Sequence, residues 1–451
     1  MEDTQRERSI LRIAKRELRQ LRDAFVSGLL YEPLIGTFAR SDMNGTVVWT
    51  LVGLSVDSAE EARSTATACA PVRLVPCAVQ DAFAREVGEL LQAEGNGVAP
   101  ALLFGVAEDG TLHLAGAVPL GEGWGSLDDC SLEGEASAQF WRDGVAPSLG
   151  ELPPERVARF TSSFGIEAYQ RLRRSTVAVI GAGGTGSVAI PTLARAGVGR
   201  IVIVDSDHLT PSNLERTQAS FPEHVVAQLL KAELARDHVR RIDPDIEVIA
   251  FEGRLPQREV LEAVAQADVL VGCTDQHTSR LALSDVARRY LIPAIDCGGL
   301  IEGANGRVTG QIVQLVLFGP DDPCPRCRGM VTDLRVRQEL LSPDERERMT
   351  REAAHRAVPP EAHEVPQIDT VGYITTISGT LAAAYAIGWL TGRFDPPFQR
   401  MQMNLIAEGL DVTDRPQRHD PTCGCRQVRG LGDLAAAAVD DVSADTRRAV
   451  R

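Results

Sequence analysis

Residues 181–186 read Gly181-Ala182-Gly183-Gly184-Thr185-Gly186 and follow the apolar run Thr176–Ile180. Glycines at this spacing let a chain turn tightly and bring its backbone close to a phosphate. The N-terminus of the following helix then favours the phosphate's charge. Asp205 ends the next apolar run and can accept hydrogen bonds from ribose hydroxyls. That much suits NAD as well as ATP. The residues behind it tilt the choice. Asp207 is followed by Asn213 and Arg216, then by Lys231, and Asp275 ends a later apolar run. Hydride transfer needs neither a second carboxylate nor an arginine beside the ribose. ATP chemistry uses carboxylates to hold ribose or Mg²⁺, and cations to spread the charge of three phosphates. Taken singly, Arg216 reads as a surface cation, Lys231 as a charge on a helix face and Asp275 as a helix cap. In this order they point together to ATP.

Four of the nine cysteines fall in two close pairs, Cys324-Pro-Arg-Cys327 and Cys423-Gly-Cys425. Four thiolates on two turns can close a tetrahedral Zn²⁺ site that fastens distant segments. The rival reading is a redox CxxC with a lowered thiol pKa. The second pair makes structural zinc the better account.

Apolar runs and helical patterns alternate through Thr176–Ile180, Val188–Ala196, Arg200–Val204, Val225–Ile242, Glu247–Phe251, Val260–Gln266 and Val269–Cys273. This alternation marks an α/β fold: a Rossmann-like, doubly wound, mostly parallel sheet with helices on both faces. Ligands of such sheets collect at the C-terminal strand ends, where Asp205 and Asp275 fall. Further strands are expected at Ala294–Asp296, Arg307–Leu317 and Gln399–Ile406, with an exposed charged helix over Val331–Ala357. The stretch Ile374–Leu390, broken by Thr, Ser and Gly, reads as a buried helix, not a membrane span.

Ahead of this lies a small α+β N-terminal domain, residues 1–150. It is expected to hold an amphipathic helix over Ser9–Phe25, strands at Val47–Leu54, Ala101–Val106 and Leu112–Val118, and a helix at Ala82–Ala93. Gly121–Gly134 reads as a loop or linker. The second domain spans 151–429, and 430–451 reads as a flexible tail. A net charge of -15 argues against nucleic-acid or anionic-membrane partners. The charged N-terminal stretch predicts no secretory signal, and the odd cysteine count suits no disulfide framework; together they suggest a cytoplasmic protein.

The runs VIGAGGTGS, IVDSDHLTPSNLER, DVLVGCTDQHTSR and YLIPAIDCGG, with CPRC and the later CGC, resemble the ThiF/MoeB/HesA superfamily from Arg156 to Cys425. This adenylating fold is shared with ubiquitin-activating enzymes. The resemblance implies that Asp205 holds ribose, that Asn213, Arg216 and Lys231 hold phosphates, and that Asp275 holds Mg²⁺. It also implies an arginine that reaches the nucleotide across a homodimer interface, which counting back from Phe164-Gly165 places at Arg159. Three details depart from the family pattern: Phe160 stands where Gln is usual, Gln228-Leu-Leu-Lys231 replaces Gly-x-Pro-Lys, and the second cysteine pair is CxC.

Relatives often carry a nucleophilic cysteine after the first zinc pair, yet Arg328–Tyr373 contains none. Cys273 and Cys297, at expected strand ends, read as structural. The implied activity therefore ends at an acyl-adenylate on the C-terminus of a ubiquitin-like, sulfur-carrier or peptide substrate. An NAD-dependent oxidoreductase and a catalytically inactive partner subunit stand as alternatives. Relatives can also carry or accompany a JAB-type metalloprotease domain, which needs His-x-His. The first domain has one histidine, His113, so it would be a degenerate copy or a substrate-recognition domain.

Overall fold

A computed structural model describes residues 8–26, 34–43, 45–55, 68–76, 80–92, 100–106, 111–120, 123–132, 139–142, 152–342, 344–345, 347–348, 351, 370–406, 412–413 and 418–435. Two sheets organise them. The first contains β1 (Arg8–Ile13), β2 (Leu34–Met43), β3 (Thr46–Ser55), β4 (Ala68–Pro76), β5 (Ala101–Val106), β6 (Leu112–Leu120), β7 (Gly123–Ser126), β8 (Asp129–Leu132) and β9 (Gln139–Trp141). Its order is β7-β6-β5-β4-β2-β3-β1-β8, with β9 paired to β6. Helices Lys15–Val26 and Gln80–Gln92 accompany it.

The N-terminal helix expectation needs correction, because Arg8–Ile13 is a strand and the helix begins only at Lys15. β1 is paired in parallel on both sides, with β3 and β8. Ile10, Leu11, Arg12 and Ile13 are all buried, which leaves no polar face for an amphipathic helix to expose. The expected linker at Gly121–Gly134 holds β7 and β8 instead. Buried Leu127 anchors the turn between them, its N–H donating to the Gly116 carbonyl at 2.8 Å. His113 is buried in β6 with its ring edge-on to Phe83, the setting of a core histidine.

The second sheet contains β10 (Thr176–Ile180), β11 (Arg200–Val204), β12 (Glu247–Phe251), β13 (Val269–Gly272), β14 (Ala294–Ala304), β15 (Arg307–Phe318), β16 (Arg400–Asn404) and β17 (Val412–Thr413). Their order is β12-β11-β10-β13-β14-β15-β16-β17, parallel through β14 and antiparallel beyond. Side chains alternate across a strand. Val177 and Val179 therefore enter one apolar cluster with Ala189, Ile190, Ala382 and Ala386, while Ala178 and Ile180 enter another with Val260, Leu281 and Val286. Helix Gly372–Thr391 is long and apolar enough to cross a membrane by length and composition. Its Ile374, Ser378, Ala382, Ala383 and Ala386 are nonetheless buried in this fold.

The expected helix Val225–Ile242 is two helices, Pro222–Val226 and Lys231–Ile242. The break falls at Gln228, whose φ of 50° lies in the left-handed region. Of the charged stretch Val331–Ala357, residues 333–340, 344–345, 347–348 and 351 are helical, and 343, 346, 349–350 and 352–357 lie outside the described residues.

The first sheet packs against the helices Arg258–Val264 and His277–Arg289 that cover one face of the second. Met43 and Val48 join the second sheet's apolar cluster beside Val264 and Ala265. Buried Arg12 donates to the Ala265 carbonyl at 3.0 Å. The start of the expected flexible tail is docked as well: Gly430 and Gly432 are buried, the Gly430 carbonyl accepts from Thr50 Oγ1, and Asp433 N–H donates to Ser41 Oγ at 3.0 Å. Residues 436–451 lie outside the described residues.

Candidate active site

An open cavity of about 860 Å³ lies at the C-terminal ends of β10, β11 and β13, within the usual size for a small-molecule site. The sequence places the glycine loop there for a steric reason. Gly181 has a φ of 99°, which only glycine adopts without strain. A Cβ on Gly186 would sit on the Gly181 carbonyl oxygen. Gly181 N–H donates to the Val204 carbonyl at 2.7 Å, which ties the loop to the neighbouring strand.

Asp205 ends β11 with both carboxylate oxygens engaged by backbone, from Ala182 N at 2.7 Å and Asp207 N at 2.9 Å. Burial raises its carboxyl above the usual range, against the opposing pull of Lys231. Asp207 is exposed and accepts from Lys231 Nζ at 2.9 Å. Burial would push its carboxyl up, but the Lys231 hydrogen bond and charge outweigh this and hold it below the usual range. Lys231 is buried and opens its helix, with its N–H on the Asp207 carbonyl at 3.0 Å.

Asn213 caps a short turn, its Oδ1 accepting from Thr210 N at 3.1 Å, and Arg216 donates to the Ser212 carbonyl at 2.9 Å. Asp275 is exposed on the cavity wall and makes no ion pair among the described residues. The cavity thus gathers Gly181, Gly183, Gly184, Asp205, Asp207, Asn213, Arg216, Lys231 and Asp275. Gly186 lies just behind it, shaping the loop. Arg159 is not on this wall; it is exposed on helix Ala158–Phe164.

Sequence reasoning missed the cavity's far side. Arg254 donates to Ser206 Oγ at 3.1 Å, and Arg280 sits 3.3 Å from the buried carboxylate of Asp296. Arg400 donates to Gln314 Oε1 at 2.7 Å, tying β16 to β15. No motif flags Arg254 or Arg400. Arg280 stands within the DQHTSR run, whose spacing after Asp275 offered a signal.

The cysteine pairs converge away from this cavity. The Sγ atoms of Cys324, Cys327, Cys423 and Cys425 all lie within 4.8 Å of one another. Neighbouring separations are 3.6 Å (Cys324–Cys327), 3.7 Å (Cys324–Cys423) and 3.8 Å (Cys327–Cys425). Tetrahedral zinc with ligands at about 2.3 Å sets its sulfurs about 3.8 Å apart. Asp420 N–H donates to Cys327 Sγ at 3.4 Å, supporting a thiolate there. These four residues could hold a metal ion, Cys425 of the shortened pair included.

A parallel sheet that presents a phosphate-type glycine loop, a ribose-type carboxylate and basic side chains to one cavity defines a nucleotide-binding enzyme of the adenylating class. The comparisons agree. A sequence model of the ThiF family matches residues 156–425. The SAMP-activating enzyme E1 of Haloferax volcanii is 33% identical over 261 residues, which cover 57% of this chain and 83% of that protein. The adenylyltransferase and sulfurtransferase UBA4 of Saccharomyces cerevisiae is 34% identical over 163 residues, 36% of this chain and only 35% of that protein. A crystal structure of E. coli MccB with MccA-N7isoASN aligns at 18% identity and a TM-score of 0.46, covering 61% of this chain and 75% of that one. The chain belongs to the ThiF family. It is an ATP-using adenylyltransferase of the ubiquitin-like-activating type, and the dinucleotide alternative falls away.

Proposed function

We propose that this protein activates the C-terminal carboxylate of a small ubiquitin-like, sulfur-carrier or peptide substrate as an acyl-adenylate. The observation that carries the reading is the convergence of Asp205, the Asp207–Lys231 pair, Arg216 and Asp275 on the glycine-loop cavity. Asp205, fixed by two backbone donors, is placed to accept from the ribose hydroxyls. Asn213, Arg216 and Lys231 face the triphosphate, where Lys231 can exchange Asp207 for a phosphate oxygen. Asp275, an unpaired carboxylate on the wall, suits a hard divalent cation, so it would hold Mg²⁺, which screens phosphate charge. The substrate carboxylate attacks the α-phosphorus, an acyl–phosphate bond forms, and the bond to the pyrophosphate leaving group breaks. Positioning and charge stabilisation by these side chains supply the catalysis.

Arg159, exposed and off its own chain's cavity wall, is available to the nucleotide of a second copy. We therefore favour a homodimer. The four-cysteine cluster would hold Zn²⁺ as a fastening, and a substrate of MgATP favours the cytoplasm. The first domain serves best as a substrate-recognition platform, since His113 is buried in its core.

The test is ATP–pyrophosphate exchange with a panel of small proteins ending in Gly-Gly and of synthetic peptides with free C-termini. Intact-mass detection of the adenylate accompanies it. A free carboxylate should support exchange, its amidated counterpart should not, and Asp275→Ala should abolish it. Exchange at the wild-type rate in Asp275→Ala would sink the assignment of that residue.

A further inference from the structure

Two thiols on the cavity wall have no part in the adenylation reading. β13 and β14 pair in parallel with Gly272 opposite Asp296, so the next step along each strand sets Cys273 beside Cys297. Their Sγ atoms are 3.6 Å apart, and Cys297 Sγ also donates to the Gly272 carbonyl at 3.2 Å, which keeps it turned toward β13. A disulfide needs its sulfurs at about 2.05 Å, so closure asks for a movement of about 1.5 Å. Both residues line the cavity; Cys297 is buried and Cys273 is half-buried, so a small oxidant meets Cys273 first by the nucleotide's own route. Among the described residues the other close cysteines belong to the four-thiol cluster.

We propose that Cys273 and Cys297 form a redox pair that hydroperoxide converts to a disulfide, switching off nucleotide binding. The Cys273 sulfur attacks a peroxide oxygen; the O–O bond breaks, and water or an alcohol leaves. The resulting sulfenic acid is then attacked by the Cys297 sulfur, which forms the S–S bond and releases a second water. Two thiols lose two electrons and two protons, and the peroxide takes up both. The hydrogen bond to Cys297, and then burial, push the Cys273 thiol upward, so the reaction is slow at neutral pH and quickens as pH rises.

The consequence for the cavity follows from what Cys273 supports. Its N–H donates to the Ile180 carbonyl at 2.7 Å, and its carbonyl abuts Gly181. It also leads directly into Thr274 and Asp275. Drawing it toward β14 displaces both the glycine loop and the carboxylate. This consequence rests on the nucleotide reading of the cavity, whereas formation of the bond does not.

The experiment treats the full-length, metal-loaded protein with hydrogen peroxide, then maps peptides without reduction and titrates mant-ATP with Mg²⁺. A Cys273–Cys297 linked peptide should appear, and prior saturation with MgATP should slow its formation. Nucleotide affinity should fall about tenfold or more, the loss expected when a hydrogen bond to a charged group is displaced, and dithiothreitol should restore it. Cys297→Ser, compared with its own untreated form, should show neither change. The proposal is overturned if no linked peptide forms, if the linked protein binds mant-ATP undiminished, or if Cys297→Ser loses affinity equally, which would show that the loss does not come from the disulfide. Failure of the untreated wild type to bind mant-ATP overturns the nucleotide reading instead, and the peptide map still reports on the pair.

Discussion

Arg429 and Glu17 form a buried two-pronged ion pair, at 3.0 and 2.7 Å, with side chains 8% and 0% exposed. The same guanidinium reaches Asp321 at 2.6 Å, just ahead of the first cysteine pair. One side chain thus joins the first helix to the loop ahead of the first cysteine pair, from the segment that follows the second pair. Without Arg429, buried Glu17 keeps only the half-exposed Arg16, which donates to its Oε1 at 2.9 and 2.7 Å. Arg429→Met should therefore cost about 3 kcal/mol in urea unfolding, the low end for a broken buried pair. Adding Glu17→Gln should recover part of that loss, because the stranded charge is gone. A double variant that loses the sum of the two single losses would show that the pair is not coupled.

The Asp207–Lys231 pair predicts a pH dependence with a definite sign. The folded carboxyl of Asp207 is depressed. Its stabilisation is therefore complete above the unfolded carboxylate range, about pH 4, and is lost as pH falls through the depressed value. Its side chain is 61% exposed, so solvent screening holds the effect below about 1 kcal/mol. The stability difference between wild type and Asp207→Asn should be flat from neutral pH down to about pH 5 and shrink below about pH 4. A difference that grows on acidification would contradict the geometry.

Lys231 itself should matter far more to the nucleotide than to the fold. Lys231→Met removes a buried cation of the cavity wall that the proposed reading puts on the triphosphate beside Arg216. By the measure of other preorganised donors, exchange should drop about 10²–10³-fold. The melting temperature should change little, because Asp207 is free to turn to water. An unchanged exchange rate would remove Lys231 from the triphosphate site.

The strands and loop that hold this site are legible in the sequence because their signals are local. The run Thr176–Ile180, the glycines and Asp205 all fall within one strand–loop–helix–strand unit. What escapes is non-local. Arg254 and Arg400 reach the cavity only through strand pairing and loop placement across the sheet. The break at Gln228, which puts Lys231 at a helix start, uses a left-handed residue that carries no glycine signal. β1 escapes for a different reason: Ile10 and Ile13 fit a helical stripe as well as a buried strand, and only pairing with β3 and β8 decides. The pairing of Glu17 with Arg429, 412 residues apart, leaves no short-range trace at all.

The cysteine cluster predicts one zinc per chain by elemental analysis. Cys425→Ser breaks the shortened pair and should lower metal retention and the melting temperature together. The four cysteines sit on turns outside the cavity wall, so at temperatures where the variant stays folded its mant-ATP affinity should hold. Metal-free protein with an unshifted melting curve would remove the structural role, since binding energy at a closed tetrahedral site is folding energy.

The glycine loop can be dissected by two alanines that act on different things. A Cβ on Gly186 meets the Gly181 carbonyl, so Gly186→Ala must push the loop from the helix start. Overpacking of this kind costs about 1–3 kcal/mol, and both the melting temperature and mant-ATP affinity should fall. A Cβ on Gly183 meets nothing within 4 Å, so Gly183→Ala should melt like the wild type. Gly183 nevertheless lines the cavity where the backbone must approach phosphate. Its methyl should therefore weaken mant-ATP binding without weakening the fold. If Gly183→Ala bound nucleotide as tightly as wild type, the phosphates would have to sit elsewhere along the loop.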